Sequence, residues 1–232
     1  MSKGIEAEEV RIRIAYGKRP AETHYSLFNP SYVFLMQERE RLFLRALKSH
    51  GVLPLDTKRI LEIGCGTGSW LREFIKWGAR PQNINGIDLL SDRVDIARQL
   101  CPAAMRIECG SAATLKFPDG CFDLILQSTV FSSILDAATR QQIAREMLRV
   151  IKADGAIFWY DFHMNNPRNP DVQGVNKREI FRLFPNCRID LRRITLAPPL
   201  ARFLAPSSLL TCYFLERLKI FNSHYLGVIR KS

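Results

Sequence analysis

The chain has 232 residues, 47% of them apolar and 25% charged, enough for one α/β domain with a proper core or for two small ones. That balance excludes a disordered or fibrous chain, and 13 glycines and 12 prolines without a short period exclude repeats and low-complexity linkers. The net charge of +11 is uneven: residues 1–50 carry +3, residues 51–163 carry 0 and residues 164–232 carry +8.

A basic last third would attract phosphate on a nucleic acid, a lipid headgroup or a phosphorylated substrate, or would simply be a solvated surface. The N-terminal residues alternate charges where a Sec-type signal needs an apolar run, so a cytoplasmic protein is expected. The longest charge-free apolar stretch near the C-terminus, Phe203 to Leu215, has 13 residues with Pro206 inside it, short of the ~18–20 that span a bilayer. The six cysteines (Cys65, Cys101, Cys109, Cys121, Cys187, Cys212) form no Cys-x-x-Cys pair, so neither a metal site nor a disulfide framework is expected.

In chain order, residues 31–50 place Leu35, Leu42, Phe43, Ala46 and Leu47 at helical spacing between Pro30 and Gly51, which predicts an amphipathic helix. Residues 58–63 predict a strand, Gly64-Cys65-Gly66-Thr67-Gly68 a turn, and Ser69 to Trp77 a helix. The alternation continues with a strand at 84–88, a helix at 91–100, strands at 105–109 and 122–127, a helix at 137–151 and a strand at 156–162. Beyond a polar loop at 165–171 come a short helix at 177–184, a strand at 188–196, an apolar helical stretch within 200–217 and a last strand at 224–230.

Such succession predicts right-handed βαβ units. The fold class is therefore α/β, a Rossmann-like doubly wound, mostly parallel sheet of about seven strands. Its last strand is antiparallel, with an N-terminal helical cover (1–57), a cofactor-binding core (58–163) and C-terminal lid elements (164–232).

A glycine turn after the first strand of a doubly wound sheet lets backbone approach a nucleotide-like ligand. Here the spacing is Gly64-x-Gly66-x-Gly68 with Ser69 next, which departs from the dinucleotide fingerprint, and no lysine follows as a P-loop requires. Glu62, just ahead of the turn, suits a cationic ligand better than a pyrophosphate. Asp88, twenty residues after Gly68 at the end of the second strand, can accept both hydroxyls of a ribose.

Together these residues resemble the class I S-adenosylmethionine-dependent methyltransferase family over roughly residues 58–162. Leu61 to Gly68 looks like its first motif, Asp88 like its second, and Gly110 to Ile125 like its third- and fourth-strand region. The resemblance implies S-adenosyl-L-methionine as cofactor, held by Glu62, Gly64, Cys65, Gly66, Thr67, Gly68, Asp88, Leu89, Ser111, Ala112 and Gln127. Ser111 stands where members often carry an Asp for the adenine amino group, so that contact would fall to the Ser111 hydroxyl or the Ala112 amide. The order of segments around Trp159 to Pro170 also looks like bacterial members that accompany surface-polysaccharide synthesis.

Gln127-Ser128-Thr129-Val130 is not the Asn/Asp-Pro-Pro-Tyr motif of base-amino methyltransferases, and residues 109–145 hold no glutamate pair for a guanidinium. Hydroxyl or amine acceptors remain. A hydroxyl needs a base, and His163 past the fifth strand, oriented by Asp161, is the expected one. His24, Tyr25, Asn165 and Arg168 are the expected acceptor contacts, suited to a sugar or a phosphate. A sugar hydroxyl in a glycan precursor is the leading expectation for the acceptor. A lipid-like or secondary-metabolite molecule is the alternative, followed by RNA and by a scaffold without catalysis. Nucleic acid is disfavoured, and a phosphate-bearing or lipid-linked acceptor would bring the basic third and residues 200–215 to the inner face of a membrane.

Overall fold

The computed structural model describes residues 3–18, 26–167 and 169–232. The expected residues His24, Tyr25 and Arg168 lie outside them. Seven strands form one sheet in the order β3-β2-β1-β4-β5-β7-β6. They are β1 (Ile60–Ile63), β2 (Ile84–Asp88), β3 (Arg106–Cys109), β4 (Phe122–Ser128), β5 (Ile151–Phe162), β6 (Cys187–Leu196) and β7 (Asn222–Lys231). β1 to β5 pair in parallel, and β7 runs antiparallel to both β5 and β6. The doubly wound sheet with an antiparallel last strand is as expected.

The helices are α1 (Lys3–Gly17), α2 (Pro30–Ser49), α3 (Ser69–Lys76), α4 (Ser91–Leu100), α5 (Ala137–Val150), α6 (Lys177–Leu183), α7 (Pro198–Leu204) and α8 (Leu209–Leu218). Local chemistry sets several of their starts. Asn29 caps α2 by accepting from the Ser31 amide, with Pro30 in the first turn, and Asp136 caps α5 by accepting from the Thr139 amide at 2.7 Å. The single apolar stretch expected over 200–217 is two helices, because Pro206-Ser207-Ser208 breaks it and Ser208 caps the second by accepting from the Thr211 amide.

The strand period of two divides the core between the faces of the sheet. Ile157 and Trp159 of β5 point into a layer with Ile143 and Met147 of α5 and Ile180 of α6. Phe158 and Tyr160 point the other way, toward Phe43 of α2, Leu71 and Phe74 of α3 and Val94 of α4. Each fully buried Phe or Leu there contributes about 2 kcal/mol. The strand order reverses direction between β1 and β4, and in sheets of this kind ligands bind at such a point, outside the carboxyl ends of the strands.

Candidate active site

The glycine turn between β1 and α3 is tied to β2: the Gly64 and Cys65 amides both donate to the Ile87 carbonyl, at 2.8 and 3.1 Å. Gly64, Gly66 and Gly68 all have positive φ (68°, 52° and 76°). A Cβ on Gly64 would stand 2.4 Å from Val130 Cγ2, so the turn is closed on one side by packing as well as by conformation. Asp88 closes the other side. Its Oδ2 accepts from the Gly66 amide at 2.8 Å and its Oδ1 from the Leu90 amide at 2.9 Å. Burial pushes its carboxyl up, and these two donors oppose the rise.

A cleft opens above this turn. Of the expected cofactor contacts, Gly64, Gly66, Asp88, Leu89, Ser111 and Ala112 line it. Glu62, Cys65, Thr67, Gly68 and Gln127 stand behind it. The Gln127 carboxamide accepts from the Val130 amide at 3.2 Å, the Thr67 carbonyl accepts from Arg72, and Gly68 starts α3 with a Cβ position only 2.7 Å from Cys101 Sγ. Ser111 Oγ accepts from the Ala113 amide at 3.1 Å, which shapes the loop after β3.

Helix α1 forms the roof of the cleft, with Glu9, Ile12 and Tyr16 on its lining. Glu8 anchors the helix by accepting from the Leu135 amide, and Tyr16 pairs with Ser133 Oγ at 3.0 Å beneath the Arg93 guanidinium. These roof residues were not singled out from the sequence. An acidic and aromatic helix far from the glycine turn carries no local signal of what it covers.

A second cavity of about 490 Å³ adjoins the first, and Tyr16, Thr129 and Ser133 line both. Thr129 holds a left-handed conformation (φ 57°), uncommon for a β-branched residue, with its amide donating to the Tyr160 carbonyl at 2.7 Å. Arg39 of α2 projects onto this cavity over the rings of Trp70 and Tyr160, at 4.5 and 5.6 Å from their centroids. It forms no ion pair among the described residues, and its buried Nε has no partner. His224 of β7 lies on the wall, stacked on Tyr160 at 4.7 Å with Nδ1 against Ser223 Oγ at 2.9 Å. Burial, with the Arg39 charge, pushes its pKa down to about 3, so the ring is neutral at pH 7.

In the sequence Arg39 is a cation one turn from Leu35 and Phe43 on an apolar helical stripe, a signal that does not by itself mark a site. His224 has a signal only in the register that pairs it with Phe162 and Ile194.

The expected catalytic pair lies elsewhere. His163 Nε2 donates to the Asn222 carbonyl at 2.8 Å, its ring packs on Tyr225, and it lines neither cavity. Since a carbonyl only accepts, that nitrogen carries the proton and cannot take another. Asp161 is wholly buried, accepting from the Ser132 amide at 3.1 Å and the Phe162 amide at 2.9 Å. Burial pushes its pKa up to about 6, opposed by Ser132. It braces the segment after β4 and, among the described residues, forms no hydrogen bond with His163. Asn165 also turns inward to its own loop, with Oδ1 accepting from the Gly174 amide at 2.9 Å, while Asn166 and Asn169 face the cavity.

Residues 60–155 match the family model of a methyltransferase domain. Among similar proteins are the bifunctional biotin biosynthesis protein of Cellvibrio japonicus, 34% identical over 45% of this chain and 20% of its own length, and the demethylmenaquinone methyltransferase of Bacillus licheniformis, 30% identical over 42% and 41%. The ajmaline N-methyltransferase of Rauvolfia serpentina is 28% identical over 53% and 42%. The chain thus spans less than half the length of these curated relatives. Among solved structures, the YcgJ protein of Bacillus subtilis superposes with a TM-score of 0.61 at 16% identity, covering 84% of this chain and 99% of its own. An S-adenosylmethionine-dependent methyltransferase of Mesorhizobium loti gives 0.59 at 17%, covering 80% and 96%. At those identities the likeness is one of fold.

The cofactor of a methyltransferase domain of this fold is S-adenosyl-L-methionine, and the cleft fits it. Ile87, Leu89, Ala112 and Ile143 give apolar walls for a flat base, and Asp88 has lone pairs left for ribose hydroxyls. Glu62 Oε2 is buried without a partner behind the turn, and burial followed by the Asp88 charge pushes its carboxyl well up. The guanidinium charges of Arg39 and Arg72 oppose that rise.

Proposed function

We propose that this protein is an S-adenosylmethionine-dependent methyltransferase whose acceptor is a small, largely apolar molecule carrying an acidic group. When bound, the cofactor supplies a methyl group on a positively charged sulfur. The chain's own residues do the rest. Asp88 and the glycine turn hold the nucleoside, α1 and Tyr16 keep water from the junction, and the second cavity sets the acceptor beside it.

The observation that carries the reading is Arg39, a guanidinium without an ion pair among the described residues, on the wall of a cavity that shares Tyr16, Thr129 and Ser133 with the cofactor cleft. No carboxylate lines that cavity among the described residues, which disfavours a cationic acceptor. Its histidine, His224, is held neutral and is a weak base. An acceptor whose proton is far more acidic than that of a sugar hydroxyl, such as a phenol, enol or carboxylic acid, needs no strong base, and Arg39 would hold its oxyanion. A sugar hydroxyl, the finer expectation from the sequence, needs a base that the described residues of this cavity do not supply. The small-molecule acceptors named for the relatives, a demethylmenaquinone and an alkaloid, support the lipid-like or metabolite alternative.

The test is calorimetric titration with S-adenosylhomocysteine on the wild type and on Asp88→Ala. Binding that weakens tenfold or more in the variant, ~1.4 kcal/mol, is expected. A folded wild type that binds nothing would overturn the reading.

A further inference from the structure

We infer that the outer face of α7 and α8 is a docking surface for an anionic membrane, from which the acceptor reaches its cavity; the second clause rests on the function proposed above. Leu210, Phe214 and Leu218 recur every four residues and share the outward side of α8, while Cys212 and Glu216 face inward. Leu210 is 81% exposed and Phe214 63%, and Phe203 of α7 reaches 80%. Ile220, just past α8, extends the same apolar surface. Large apolar side chains exposed together mark an interaction surface in a folded protein.

Charge selects the occupant. A groove of about 720 Å³ beside α8 is lined by Arg41, Arg45, Arg192, Arg193, Arg217 and Lys219, with the buried carboxyls of Glu38 and Glu216 at its floor. Of these, only Arg41 and Arg192 have carboxylate partners among the described residues, Glu38 and Asp190. Cations around exposed Leu and Phe match a bilayer whose headgroups are negative and whose interior is apolar. A second copy of the chain would bring the same cations face to face across a two-fold axis, which disfavours it. No helix among the described residues is long and apolar enough to cross a membrane, so α7 and α8 would lie in the interface.

The surface leads to the acceptor cavity. Pro198 and Arg202 of α7 line that cavity, and the next residue is the exposed Phe203. An acceptor with an apolar body and an acidic end would then pass from the bilayer to Arg39 without crossing water.

Vesicle co-sedimentation tests this, with phosphatidylcholine alone and with about 30 mol % phosphatidylglycerol, at low and high salt. The full chain should bind the anionic vesicles at least tenfold more tightly, and salt should erase the difference. Leu210→Ser with Phe214→Ser should weaken binding tenfold or more. Arg193→Gln with Arg217→Gln and Lys219→Gln should weaken it about a hundredfold for anionic vesicles only. All of these side chains are solvent-exposed, so unchanged melting temperatures are expected.

Equal binding to both vesicles, or none, would overturn the inference. So would a dimer in sedimentation velocity that Leu210→Ser with Phe214→Ser abolishes, since a second copy would then be the occupant. Titration with S-adenosylhomocysteine without vesicles separates the two proposals. Vesicle binding with no cofactor binding sinks the enzymatic reading alone, and the converse sinks the docking surface alone.

Discussion

Glu216 forms the floor between α2, β6 and α8 and is 7% exposed. Its Oε1 accepts from the Thr195 amide at 3.1 Å, and Oε2 has no partner. Burial first, and the Glu38 carboxylate second, push its pKa from 4.5 to about 7. Both oxygens of Glu38 accept from Arg41, one from Nε at 3.0 Å and the other from Nη2. A folded-state pKa above the unfolded one means that the folded protein holds an extra proton between those values. The resulting stability is complete below about pH 4.5 and is lost as pH rises through about 7. At about 1.4 kcal/mol per pH unit, the interval sets a ceiling of about 3 kcal/mol, and relaxation with Glu38 brings the expected loss to about 2 kcal/mol. Glu216→Gln keeps an acceptor for Thr195 and removes the titration. Urea unfolding of both proteins at about pH 5 and about pH 8 measures the difference. Between these pH values the wild type should lose about 2 kcal/mol more than the variant, since Asp161, with its own raised pKa, contributes equally to both. Parallel losses would refute the assignment of the proton to Glu216.

Gly64→Ala drives a Cβ to 2.4 Å from Val130 Cγ2 at a φ of 68°, and should cost about 2–3 kcal/mol of stability and weaken S-adenosylhomocysteine tenfold or more; wild-type melting and affinity would contradict the tight turn. With an acceptor in hand, Arg39→Gln should raise its KM about tenfold with kcat little changed, while His163→Gln should leave both within about threefold. The reverse pattern would restore His163 as the base and remove Arg39 from acceptor binding.

Most strands and helices of the core were legible because their signals are local. Ile60 to Ile63, the glycine turn and Asp88 each declare themselves within a few residues, by period, by conformation and by a strand end. The second cavity was less legible for the opposite reason. His163 follows β5, where a base was expected, but the pairing of β5 with β7 brings the Asn222 carbonyl to its ring. That same pairing puts His224 against Tyr160 and gives it the wall position instead.

The amino-acid sequence alone thus determined the doubly wound sheet and where the cleft above its glycine turn opens, since both follow from chain-local geometry at β1 and β2. Tertiary structure alone decided what that cleft adjoins. Tyr16 comes from α1, Arg39 from α2, Tyr160 from β5 and His224 from β7, and only the closing of the antiparallel strands and the packing of α2 against Trp70 bring them to one cavity. Side chains that meet across long stretches of chain carry no period or spacing in common, so the chemistry of that cavity's wall exists only once the sheet is complete.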